Sequence, residues 1–146
     1  MATDMIIEDA AYTMAKRPQS LRQAAAFGLE FGERDAFLRE LLDEFYVEAE
    51  RRAAMLIDEP PISGDDRANA YYAAVAEHLA LKYRLSVPPW TADSRRFLNR
   101  PFFPAGLESL KATLLMESPV AFRRRMIFVD ADPLYRPRRD TPSFGT

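Results

Sequence analysis

Reactive side chains bound the chemistry of a 146-residue chain, and here they are few. The one histidine, His78, follows Glu77, and there is no cysteine. A lone imidazole does not supply the paired His or Cys spacing of a zinc or iron site. Without thiols there are no cysteine nucleophiles, iron–sulfur clusters or disulfides. No Gly-x-Ser-x-Gly elbow is present, and the five glycines form none of the usual phosphate cradles. Glu77 and His78 form a candidate polar site. On a helix, however, His78 borders an apolar stripe over Tyr71 and Val75, where a core histidine is commoner than a general base. Asp130 and Asp132 share one face of an extended segment, as a cation-holding pair would, but Asp132 more simply caps a turn opening at Pro133. The sequence therefore assigns no catalytic residue, no metal ligand and no cofactor.

Side chains that contact other macromolecules are better represented. Arg123-Arg124-Arg125 ends a helix opened by Ser118-Pro119, and three adjacent guanidiniums suit phosphates. The same charges also suit a helix C-terminus and an acidic neighbour, which is the reading we favour. Trp90, Phe102 and Phe103 are of the types that dominate protein interfaces and small cores alike. With Arg123, Arg124 and Arg125 they form the candidate partner-binding set. Residues 20–42 make a poor helix-turn-helix, because Glu30, Glu33 and Asp35 put negative charge where DNA would approach.

These groups must be carried by a fold. Hydrophobic residues make up 48 % of the chain and charged residues 29 %, values of an ordinary globular domain. Apolar runs of four or five residues fall far short of the ~18 of a membrane span. No signal-peptide pattern opens the chain, so the expectation is a soluble cytoplasmic protein with no membrane partner. The formal charge of −2 hides an asymmetry. Residues 1–66 hold 7 Lys/Arg against 15 Asp/Glu, a net of −8, and residues 67–146 hold 13 against 7, a net of +6. The two parts are expected chiefly to neutralise each other; a basic face offered to an acidic partner is the alternative.

Spacing predicts helices nearly throughout. Asp4 caps a first helix through Met14, ended by Pro18. Ser20 and Gln23 form a capping box for a second, which Gly28 and Gly32 weaken at its far end. Phe37, Leu41, Phe45, Ala49 and Ala53 recur every four residues, predicting one long spine from Glu33 to Ile57 supported by Asp35–Arg39 and Glu48–Arg52 pairs. Pro60-Pro61 ends it, and Ser63 or Asp65 caps a helix to about Arg84 with Ala68, Tyr72, Val75, Leu79 and Tyr83 inward. Four prolines and four aromatics between Ser86 and Gly106 describe an ordered loop laid on a core, with Asp93 capping a short helix. Leu107–Glu117 is a helix with Leu110, Leu114 and Leu115 inward. Ser118 caps a short one from Pro119 to Arg125, and Met126–Val129 is buried and extended. The expected architecture is all-α: a single domain over residues 1–136, an irregular bundle of five to seven helices around the 33–57 spine. One short extended segment lies near Ile127, and residues 137–146 form a flexible tail.

Several anchors in one order carry a resemblance: Glu59-Pro60-Pro61-Ile62-Ser63-Gly64-Asp65, Ala76-Glu77-His78-Leu79-Ala80, Val87-Pro88-Pro89-Trp90-Thr91, Arg96-Phe97-Leu98, Pro101-Phe102-Phe103, Glu117–Arg125 and Ile127-Phe128-Val129. Over about residues 59–130 the chain resembles a family of small bacterial antitoxin-like proteins and transcriptional regulators, encoded beside nucleotidyltransferase-like toxins. The resemblance implies a non-enzymatic protein that binds and neutralises a protein partner. The helix-turn-helix that usually precedes this block is not evident in the first 58 residues. A DNA-binding regulator using Arg123–Arg125 is the alternative it implies, with nucleic acid the less favoured partner and self-association left open.

Overall fold

The computed structural model describes residues 17–106 and 111–137. The expected first helix through Met14, the residues Leu107–Leu110 and the tail from 138 lie outside the described residues. Six α-helices follow in order: α1 (Leu21–Phe31), α2 (Arg34–Val47), α3 (Arg52–Ile57), α4 (Asp66–Lys82), α5 (Lys111–Glu117) and α6 (Val120–Arg123), with short 3₁₀ turns at Ala49–Arg51, Pro89–Ala92 and Ser94–Arg96. The architecture is all-α. Among the described residues the extended part is a single parallel bridge between Phe102 and Ile127. It is closed by Phe102 N–H on the Met126 carbonyl (2.8 Å) and Phe128 N–H on the Phe102 carbonyl (2.9 Å). No described helix is long and apolar enough to cross a membrane.

Local capping explains where the helices begin. Ser20 Oγ accepts the Gln23 N–H at 3.1 Å, while the Gln23 side chain accepts from Gln19 N rather than from Ser20, a box displaced by one residue. Asp65 accepts from Ala68 N at 3.1 Å and opens α4. α1 ends at Gly32, whose left-handed φ of 75° suits glycine, and a two-residue link turns the chain into α2. The hairpin is tight: a Cβ on Gly28 would stand 3.0 Å from the Arg34 Cα.

The long spine from Glu33 to Ile57 is not formed. Glu48 leaves the helical region (φ −103°, ψ 69°), and Ala49 and Ala53 are exposed. Arg52 reaches back to donate to the Phe45 and Tyr46 carbonyls at 2.8 and 2.9 Å, satisfying acceptors that α2 leaves open at its end. Its guanidinium also lies 4.4 Å from the Tyr83 ring centre. Arg52 therefore forms no pair with Glu48, which instead approaches Arg51 at 3.9 Å, and the expected Asp35–Arg39 pair is likewise absent. The central element is α4. Its alanines at 68, 70, 73, 74, 76 and 80 are buried along with Tyr72, Val75 and Leu79, so neighbours close on it from nearly every side. One cluster of buried side chains runs from Leu21 through α4 to Leu134.

Three more expectations need correction. Leu114 is buried, but Leu115 is 46 % exposed. Ser118 does not cap α6, whose N-cap is Pro119. Its hydroxyl accepts the Val129 N–H at 2.8 Å and donates to the Leu114 carbonyl at 2.6 Å, tying α5 to the segment that leaves the bridge. Asp132 opens the turn at Pro133 through its backbone carbonyl, which accepts from Tyr135 N at 3.3 Å, and not through its side chain; it is Asp130 whose carboxylate accepts, from Asp132 N at 3.0 Å.

Gly28→Ala should destabilise the protein in chemical denaturation by up to about 2 kcal/mol. The clash is with backbone, and overpacking costs ~1–3 kcal/mol against the ~1 kcal/mol gained in helix propensity. A rise in stability would show that the α1–α2 crossing is looser than described.

Candidate functional site

The C-terminal half folds around Glu77. Its place in the middle of buried α4 leaves it 6 % exposed, and a carboxylate there must be paired. One oxygen accepts from Arg125 Nη1 and the other from Arg124 Nη1 at 2.8 Å. Arg125 is 1 % exposed and donates further to the Ala121 carbonyl (2.8 Å) and the Thr91 carbonyl (2.7 Å), its plane 4.5 Å from the Phe97 ring centre. Burial pulls its pKa below the ordinary arginine value, with the Glu77 carboxylate opposing. A second buried arginine, Arg96, is fully enclosed. It donates to the carbonyls of Asn69 (3.2 Å) and Pro60 (2.6 Å) and to Glu59 at 3.0 Å, beneath the Trp90 ring. Trp90 in turn donates its indole N–H to the Leu56 carbonyl at 3.1 Å.

The expected partner-binding set is thereby split. Arg125 belongs to the interior, Arg124 is half-exposed but bound to Glu77, and Arg123 alone of the three stands free of a carboxylate at the surface. Trp90 is half-buried over Arg96. Phe102 forms the bridge to Ile127 under Arg67, at 4.3 Å, and Phe103 stacks on Phe128 at 5.2 Å. All three aromatics hold the loop on the core, although each keeps some exposed edge. Their placement follows from proline content: residues 86–106 have few ladder bonds, so ring faces and guanidinium donors fix the chain instead.

Glu77 and His78 do not form a joint polar site. Successive residues of a helix point about 100° apart, so Glu77 meets the arginines while His78, half-buried, packs edge-on against Phe122 at 5.6 Å between ring centres. Burial lowers the His78 pKa from its ordinary value of 6.5, Lys82 adds to the shift and Asp132 opposes it. Among the described residues no group of three or more His, Asp or Glu is placed to hold a metal ion.

The charge asymmetry is only partly cancelled inside the molecule. Asp43–Arg136 (2.9 Å) and Glu59–Arg96 (3.0 Å) join the acidic and basic parts, whereas Arg124 and Arg125 spend their charge on Glu77 within the basic part. Glu33, Asp35, Glu40, Glu50 and Asp58 are exposed and form no ion pair with a described residue. Val47 and Ile57, 58 % and 55 % exposed, end helices of the same part. The buried arginines were missed in the sequence because nothing in Arg96 or Arg125 distinguishes an internal guanidinium from a solvated one. The available signal is a surplus of arginine beside loops with open carbonyls.

Glu77→Ala leaves Arg125 buried without its counter-charge, and unfolding should show a loss of about 3–5 kcal/mol. A change under ~1 kcal/mol would mean that water replaces the carboxylate. For His78, the folded pKa lies below the unfolded one, so between the two the unfolded chain binds more protons and acidification from 6.5 downward lowers stability. His78→Gln should remove that part of the pH dependence, read as the difference between wild-type and variant melting temperatures. Parallel curves would contradict it. Compared with known proteins, the chain matches no family model, no curated protein and no solved structure.

Proposed function

We propose that this chain is a non-enzymatic, antitoxin-like protein that binds and neutralises a partner protein in the cytoplasm. The observation that carries the reading is the acidic surface of residues 33–58, where Glu33, Asp35, Glu40, Glu50 and Asp58 are exposed and form no ion pair with a described residue. An exposed set of like charges repels itself, and a basic partner surface relieves that repulsion while steering encounter. Val47 and Ile57 add apolar area to the same part of the chain. The resemblance over residues 59–130 supplies the kind of partner: a nucleotidyltransferase-like toxin whose nucleotide- or RNA-binding face is basic. The reactive residues support a binding role, since Glu77 is committed to Arg124 and Arg125 and His78 to an aromatic contact.

Co-expression with the protein encoded beside it, followed by size-exclusion chromatography, tests the reading. A single co-migrating species is expected, with affinity that falls as salt rises. Combined Glu33→Lys, Glu40→Lys and Glu50→Lys changes should abolish co-migration and leave the melting temperature within a few degrees, because these side chains are exposed. Two unshifted peaks for the wild type, or a complex indifferent to the charge reversals, would overturn it.

A further inference from the structure

A cleft of about 610 Å³ opens between one face of α2, the first turns of α4, the Phe102 bridge and the segment from Pro133 to Arg136. Its floor is apolar, with Leu38, Leu42 and Leu134 buried beneath it. Four arginines and two aspartates line the walls. Arg34 is engaged by Asp65 at 2.9 Å and Arg136 by Asp43 at 2.9 Å. Arg39 and Arg67 have no ion-pair partner among the described residues, and the Arg67 guanidinium stands over the Phe102 ring, 4.3 Å from its centre. Tyr72 lines the same cleft and is 5 % exposed, yet its buried hydroxyl has no hydrogen-bond partner. Burial lifts that phenol to about 12, so it remains a protonated donor near neutral pH. Asp35 is the one carboxylate of this lining without an ion pair to a described residue, against two such guanidiniums, and a buried donor left unmatched costs free energy, so the cleft calls for an acceptor.

We propose that this cleft binds a phosphomonoester carried on a flat apolar body. Arg39 on α2 and Arg67 on α4 approach from different helices, and Tyr72 adds a third donor from the floor. Donors from three separate side chains suit the three terminal oxygens of a phosphoryl group better than the two of a carboxylate. Arg34 is near enough to Tyr72 to interact with it electrostatically, and its half-exposed pair with Asp65 is a weak tether that a ligand reaching the hydroxyl can displace. The flat body packs on Leu38, Leu42 and Tyr71. A nucleoside monophosphate and the side chain of a phosphorylated tyrosine share this chemistry, and the cleft volume suits either.

Calorimetric titration of the full chain with adenosine monophosphate, phenyl phosphate, inorganic phosphate and benzoate, each to about 10 mM, tests the proposal at the weak affinities expected of such small ligands. At least one of the two organic phosphates should bind, and more tightly than inorganic phosphate or benzoate; which of the two is tighter identifies the source. Arg39→Ala and Arg67→Ala should each weaken binding about tenfold, while Arg22→Ala, on exposed α1 surface, should leave it unchanged. Tyr72→Phe separates function from folding: it should weaken binding without lowering the melting temperature, because the hydroxyl has no internal partner to lose. No binding of either organic phosphate, equal binding of inorganic phosphate, or unaltered affinity in the Arg39→Ala/Arg67→Ala double variant would overturn the proposal.

Discussion

Buried guanidinium groups hold this fold together where helices stop. A bundle of short helices joined by proline-rich chain leaves many carbonyl oxygens without ladder partners, and buried acceptors must be satisfied. Arg52 closes the end of α2, Arg96 binds the Asn69 and Pro60 carbonyls, and Arg125 binds those of Ala121 and Thr91. Each lies over an aromatic ring as well: Tyr83, Trp90 and Phe97 respectively. The planar fork serves both contacts at once, with donors in its plane and a weakly hydrated face for the ring. Lysine offers neither geometry, which gives the chain's preference for arginine a structural use.

Burying that much charge requires counter-charge, and Glu77 provides it at the centre of the basic part. Its position on α4, among alanines small enough to let α6 and the 86–106 loop close in, is what allows one carboxylate to reach two arginines. The consequence for function is indirect. Part of the basic charge is absorbed locally by Glu77 and part by Asp43 through Arg136, while Glu33, Asp35, Glu40, Glu50 and Asp58 stay exposed to solvent. The interior pairing and the exterior asymmetry are thus parts of one charge distribution.

Some capping contacts are legible in the sequence, and contacts between distant segments are not. Ser20, Asp65 and Asp93 cap where their residue types and spacing indicate, since an N-cap is a contact over two or three residues. The stripe from Ala68 to Leu79 and the buried extension at Ile127 follow from periodicity and composition. The break at Glu48 carries no proline or glycine; it is stabilised by Arg52 and by Tyr83, from a different helix end far along the chain, so no local pattern records it. Ser118-Pro119 has every mark of a helix start, yet the hydroxyl is drawn to Val129 by packing that only the folded chain creates. Among the candidate site residues, type was informative and exposure was not. Arg123, Arg124 and Arg125 read alike, and only the Glu77 side chain from another helix sorts them into surface, shared and core. The cleft between α2 and α4 joins residues some thirty positions apart and has no sequence signature at all.

The central claim is that these arginines act through the geometry of the guanidinium rather than through charge alone. Equilibrium unfolding of Arg96→Lys tests it most directly, because lysine keeps the positive charge opposite Glu59 but loses the fork that spans Asn69, Pro60 and the Trp90 face. A loss of about 2 kcal/mol or more is expected, the scale for disrupting a buried hydrogen-bond network. A variant within ~0.5 kcal/mol of wild type, the range of ordinary surface substitutions, would contradict it.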